Sequence, residues 1–196
     1  MKSKIRIALL LLGIIIVAES CKVRQVERIN PSEQTDLSGR WNDTDSRLVA
    51  EEMVNDALNR PWRTRFETKY SKVPVVVVAL VDNKSHEHIA TETFIKDMER
   101  AFVNSGLVRL VQAGEKREDL REERADQQQY ASKETAKAWG KELGADYILQ
   151  GDLNSIVDSY QNRKAVTYQV NMELTDLETN EIVWIGDKKI KKFITN

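Results

Sequence analysis

One cysteine, two histidines and three prolines are spread over 196 residues, and neither charge is in real excess. Each shortage excludes something. A lone thiol, Cys21, forms no intrachain disulfide and no paired-cysteine metal or redox spacing, so the fold must stand on its core. Thirty Lys and Arg stand against 31 Asp and Glu. A nucleic-acid binder wants a strongly basic face, and this balance does not supply one. The same balance gives no polybasic attraction to anionic lipid either. Neither a Gly-rich phosphate loop nor a Ser-centred nucleophile elbow occurs. The pattern points away from an enzyme: no catalytic residues, no cofactor and no metal are expected.

What is present begins at the N-terminus. Lys2, Lys4 and Arg6 precede an uncharged apolar run over residues 7–18, and Ala18-Glu19-Ser20-Cys21 follows. A run of 12 residues is too short to span a bilayer comfortably as a helix and reads as a secretory signal. The small–X–small–Cys ending resembles a bacterial lipoprotein lipobox, with Glu19 and Ala18 as departures from the usual pattern. That resemblance implies cleavage after residue 20 and acylation of Cys21; the alternative is an unprocessed signal anchor. Each buried methylene is worth about 0.8 kcal/mol, and stable anchoring needs more than one chain. Lys22 stands where an acidic residue is associated with inner-membrane retention, which points to the outer membrane, periplasmic side. Without residues 1–20 the chain keeps 27 basic and 30 acidic residues, a net charge near −3. The remaining 176 residues suit one domain and a tether.

Residues 21–44 read as the lipidated cysteine and a flexible linker, since isolated apolar residues keep no period there and Pro31 and Gly39 break any helix. From 45 to 196 the two periodicities alternate. Asp45 or Ser46 is expected to cap a helix carrying Val49, Met53 and Ala57 inward, and Pro61 to stop it. Residues 73–81 form a β-branched apolar run, a central strand buried on both faces. A second helix, residues 90–104, turns Phe94, Ile95, Met98 and Phe102 inward and ends at Gly106. Residues 107–111 make a short strand. A long helix over 114–143 then packs Tyr130, Ala136, Trp139 and Leu143 on the sheet. Three antiparallel strands close the chain, the first with Tyr147, Leu149, Gly151, Leu153 and Val157 on one face. The second alternates strictly from Val166 to Thr175, and the third, residues 182–193, is a lysine-rich edge. The fold class is α/β (α+β): one domain, expected to be monomeric, with a mixed, mostly antiparallel sheet and helices mainly on one face.

Two stretches invite a chemical reading. His86-Glu87-His88 holds both histidines, but the i, i+2 spacing falls in a loop and no third ligand is identifiable, so a solvated loop opening a helix is the plainer reading. Residues 115–126 are nearly all charge, with carboxylates alternating with Lys116, Arg117, Arg121 and Arg124. A solvated helix with intrahelical pairs is the plain reading, and an arm offered to a partner the sharper one.

Three stretches resemble the LpoB family of penicillin-binding protein activators. They are LSGRWNDTDSRLVAEEM at 37–53, VDNKSHEHIATE at 81–92, and the region from Glu122-Glu123-Arg124-Ala125-Asp126-Gln127-Gln128 to Gly144-Ala145-Asp146-Tyr147 and on to Ile156. The chain is also similar to the wider TolB-N-like and curli-secretion lipoproteins. The resemblance implies a TolB-N-like sheet and an outer-membrane lipoprotein facing the periplasm. It also implies binding to a class A penicillin-binding protein, a bifunctional peptidoglycan synthase, which it stimulates without making bonds itself. A structural or secretion-related envelope lipoprotein is the alternative. For the interface, Asp82, Asn83, His86, His88, Arg117, Arg121, Arg124 and Tyr130 are the candidates, because interfaces favour exposed arginine and aromatic anchors. Asn42 to Asp45 serve equally as helix cap or partner contact. The tether, with Pro31 alone, is shorter than the proline-rich tethers of that family.

Overall fold

The computed structural model describes residues 26–30, 33–130 and 142–195. The chain divides into two units, Met1–Glu33 and Gln34–Asn196. The packed unit therefore opens at Gln34, ahead of the boundary at residue 45 expected from periodicity.

Helix α1, Asp43–Leu58, starts six residues ahead of Val49, the first residue of its apolar stripe. Asn42, in extended backbone, is the cap rather than Asp45 or Ser46. Its side chain accepts from the Asp45 N–H at 3.1 Å, and the Asp45 carboxylate accepts from the Asn42 N–H at 3.0 Å. The two residues thus satisfy each other's orphan donors, and Asp43 and Asp45 also face the positive end of the helix. Pro61 does not simply end the helical region: it opens α2, Pro61–Tyr70. Its fixed φ suits the first turn of a helix, where the missing N–H costs nothing. The sequence reading passed over α2 because only Trp62 and Phe66, one turn apart, are buried. They pack edge-on against Tyr147, with ring centroids at 5.0 and 5.6 Å.

Strand β1, Val75–Lys84, has Val75 to Val78 all buried, as its β-branched run requires. Helix α3, Thr91–Ser105, buries Phe94, Ile95, Met98 and Phe102 and ends at Gly106 with φ 65°. That left-handed turn is open to glycine at no steric cost. Strand β2 is Arg109–Val111 and helix α4 is Gly114–Tyr130. The chain finishes with β3 (Tyr147–Tyr160), β4 (Arg163–Asp176) and β5 (Ile182–Thr195).

The sheet order is β2-β1-β3-β4-β5, with β1 parallel to both β2 and β3, and β3, β4 and β5 an antiparallel meander. On the inner face Val166, Tyr168, Val170, Met172 and Leu174 are at most 1% exposed, and they share one core with residues of β1 and β3, Trp184 of β5, and the buried faces of α1, α2 and α3. At about 25 cal/mol per Å² of apolar area, this shared core is the main source of stability.

Two expectations about burial need correcting. Tyr130 is 77% exposed and Leu143 is 43% exposed, so neither packs on the sheet; Ala136 and Trp139 lie outside the described residues. Val157 is 41% exposed, although it continues the inward row of β3. The reason is length: β1 stops at Lys84, opposite Asn154, and β3 runs on for six residues without that neighbour.

On the outer face the register lines up side chains across strands, because directly paired residues share a face. Asp82 lies opposite Asp152, Asp152 opposite Asn171, and Asn171 opposite Asp187. The adjoining row is Gln150, Glu173 and Ile185. A register shift between Val78 and Val81 marks a β-bulge, and Leu80 within it is 74% exposed.

Candidate partner-binding site

The loop after β1 is built by its own polar side chains. Asn83 accepts from the Ser85 N–H at 3.0 Å and from its hydroxyl at 2.7 Å, and its amide donates to the Glu87 carbonyl at 2.8 Å. His86 is tied to β3: its N–H donates to Ser155 Oγ at 3.0 Å, and Nδ1 lies 2.6 Å from the same oxygen. The imidazole stacks on Tyr168, with centroids 6.4 Å apart.

Between the histidines, Glu87 turns inward, its side chain only 12% exposed. One carboxylate oxygen accepts from the Tyr168 hydroxyl at 2.7 Å and the other from the Trp41 N–H at 3.2 Å. Trp41 folds back over this point. Its indole N–H donates to Ser46 Oγ at 2.8 Å, and its ring meets Tyr168 edge-on at 5.5 Å. Burial of Tyr168, and then its hydrogen bond to a carboxylate, push the phenol pKa well above the ordinary tyrosine range. Stretches 46 residues before and 81 residues after Glu87 are thereby joined through its one carboxylate.

A second junction secures the segment before α1. Lys192 Nζ, on a side chain only 10% exposed, lies 2.6 Å from both Asp36 Oδ1 and Asp45 Oδ2 and donates to the Arg40 carbonyl at 2.9 Å. Burial alone pulls the Lys192 ammonium down, but its hydrogen bonds to Asp36 and Asp45 outweigh this and leave it raised. The same ammonium holds Asp36 below the usual carboxylate range. Gly39 sits at φ 67° beside Ile194; a Cβ there would come within 2.5 Å of the isoleucine side chain. Residues 35–42 are thus strapped to the end of β5.

These junctions frame a groove of about 560 Å³, lined by Arg40, Trp41, Asn42, His86, His88 and Lys164 among others. It presents fixed relief and hydrogen-bonding groups. Among the described residues no group of three or more His, Cys, Asp or Glu is placed to hold a metal.

The sequence-derived candidates separate into different environments. Asp82 and His88 are exposed, Asp82 on the outer sheet face and His88 at the rim of this groove. Asn83 shapes the loop, and His86 is engaged by Ser155 and Tyr168. Arg121 grips Glu142 with two nitrogens, both at 3.0 Å, and Arg124 reaches the same carboxylate at 3.1 Å. Arg117 donates to the Gln112 carbonyl at 2.8 Å. The three arginines thus fasten α4 within its own chain. Tyr130 is exposed at the end of α4. Sequence reasoning passed over Glu87, Trp41 and Tyr168 as one unit. The available signal was a carboxylate between two histidines facing a strand position occupied by a buried tyrosine.

Comparison with known proteins supplies the frame for this geometry. Among the described residues no helix is long and apolar enough to cross a membrane. No curated protein sequence matches this chain. Among solved structures, the LpoB C-terminal domain from Salmonella enterica is 19% identical, covering 76% of this chain and 99% of that one, with a TM-score of 0.47. The corresponding Escherichia coli domain is 18% identical over the same shares, also at 0.47. The NMR structure of E. coli LpoB is 16% identical and covers 90% of this chain and 87% of that one, at 0.44. The family model described as the peptidoglycan-synthase activator LpoB matches residues 45–190, well over half of the sequence, and the chain belongs to that family.

Proposed function

We propose that this chain is a lipid-anchored envelope protein, held through Cys21 in the outer membrane. It binds a class A penicillin-binding protein on the periplasmic side and raises its activity without chemistry of its own. The family match over residues 45–190 carries the reading. The site supports it, since its polar groups are spent on fixing surface relief rather than on positioning a reactive pair. Activation follows from preferring the active-like state of the synthase, and the stimulation is limited by the difference in affinity for the two states. A tenfold shift needs about 1.4 kcal/mol of that difference.

The strap bears on reach. With the packed unit opening at Gln34, the span from Cys21 is at most about 43–47 Å when fully extended. The start of the packed unit therefore stays within that distance of the anchoring membrane, and the partner meets it there or at most the unit's own extent beyond. The test uses the mature chain with Cys21→Ser, added to the cognate class A synthase while glycan polymerisation and crosslinking are followed. Stimulation with measurable binding is expected; no binding and no stimulation removes the reading. Intact-mass analysis of the native protein should show an N-terminus at Cys21 with fatty acyl chains, and an unmodified N-terminus elsewhere would refute the anchor.

A further inference from the structure

The outer face of the sheet carries a second groove, of about 530 Å³, unconnected with the Trp41–Glu87–Tyr168 junction. Its apolar walls are open to solvent. Leu80, pushed out by the bulge in β1, is 74% exposed, and Ile185 on β5 is 71% exposed. Two large aliphatic side chains left in water at the two sides of one groove on the sheet face are a cost that a bound partner removes. The polar lining between them has one sign. Asp82, Asp152 and Glu173 all line it, and no cationic side chain does. Asp152 is committed to Lys84 at 3.2 Å and to the Asn171 amide at 2.8 Å. Glu173 has only the neutral Gln150 amide, at 2.9 Å, and Asp82 makes no ion pair among the described residues. Two carboxylates therefore face the groove without a countercharge, beside apolar surface.

We infer that the partner docks in this groove rather than in the one beside Trp41 and Glu87, whose polar groups are spent on bonds within the chain, and that it presents here an arginine or lysine between apolar side chains. The cation meets Asp82 and Glu173 while its aliphatic stem and its neighbours cover Leu80 and Ile185. A long basic side chain suits such a mixed lining, because its stem is apolar and only its head is charged. An anionic lipid surface or nucleic acid is repelled by the same carboxylates. This inference rests on the synthase-binding reading and names the surface and the partner chemistry that serve it.

The test compares four forms of the mature Cys21→Ser chain for binding to the cognate class A synthase at two salt concentrations. They are the parent, Asp82→Lys/Glu173→Lys, Leu80→Ser/Ile185→Ser, and Arg121→Glu/Arg124→Glu. The first two double variants should each weaken binding at least tenfold with thermal midpoints within a few degrees of the parent, since all four side chains lie on the outer surface. The lysine variant should also lose most of the salt dependence seen for the parent. The helix α4 variant should bind as the parent does. If both groove variants bind within twofold of the parent, the groove is not the docking surface, and the inference falls while the synthase-binding reading stands. Loss of binding in the α4 variant alone would likewise overturn it. If the parent itself does not bind, both fall. The serine pair keeps the question decidable should the lysine pair fail to fold.

Discussion

Replacing Glu87 with alanine tests the claim that one carboxylate holds two distant stretches of chain together. The side chain accepts from the Tyr168 hydroxyl at 2.7 Å and the Trp41 N–H at 3.2 Å. A hydrogen bond to a charged group contributes about 1.5–3 kcal/mol, and a buried donor left alone forfeits its full desolvation cost. Tyr168 is fully buried, so its hydroxyl has no access to water unless the loop opens. Trp41 is only partly buried and recovers part of its loss. Together these give a cost of about 3 kcal/mol for Glu87→Ala, less than the sum of two full bonds. For a protein of this size that lowers the thermal midpoint by roughly 6–12 °C. Tyr168→Phe removes one of the two bonds without a cavity and should cost about 1.5–2 kcal/mol. The assay is urea unfolding of the mature chain followed by tryptophan fluorescence, with both single variants and the double. A coupling of at least about 1 kcal/mol between the two changes is expected. A Glu87→Ala cost below about 1 kcal/mol, or strictly additive costs, would refute the junction as a structural element.

Lys192→Met leaves the Asp45 carboxylate, 7% exposed, with the Asn42 N–H as its remaining donor. Breaking a buried pair on one side costs about 3–5 kcal/mol, and with Asp36 partly solvated about 2–4 kcal/mol is expected from the same unfolding curves. At high pH the tyrosines govern. Burial raises Tyr147 to about 12 and pushes Tyr168 higher still. Both phenols are therefore neutral in the folded chain where the unfolded chain has begun to ionise. Their contribution is whole below about pH 10 and is lost as pH rises above it, at up to roughly 1.4 kcal/mol per pH unit per tyrosine. Stability measured from pH 8 to 11.5 should stay level and then fall, and Tyr147→Phe should flatten the fall; an unchanged slope would refute the assignment. Phe102→Ala opens a cavity at a residue of 0% exposure and should cost about 3–5 kcal/mol, whereas Val103→Ala, on the 58% exposed side of the same helix, should cost under 1 kcal/mol.

Much of the sheet was legible in the sequence because its periods are clean. The alternation from Val166 to Thr175 appears as written, and the apolar run around Val76 lies on a strand with a neighbour on each side, one place in from the edge. Helix α3 was equally readable, since four large apolar residues repeat at helical spacing and a glycine follows. Helix α2 was not, because a ten-residue segment with two buried side chains has no stripe to detect. The exposure of Val157 depended on where β1 stops, a fact about a different strand. The candidate site shows the same division. Asp82 was recognisable as a surface carboxylate, and its setting beside Leu80 and Ile185 depends on pairing four strands. The arginines of α4 looked like free anchors because Glu142, which binds two of them, is 18 and 21 residues away.

The fastening of residues 35–42 to β5 has a mechanical meaning. Lys192 grips Asp36 and the Arg40 carbonyl from near the far end of the polypeptide. A pull transmitted from the N-terminal side therefore enters the molecule at its last strand and at the cap of its first helix together, since Asp36 also accepts from the Asn42 amide and the same ammonium pairs with Asp45. Loosening that lysine would release residues 35–42 from the last strand and lengthen the unpacked stretch ahead of the first helix by as much.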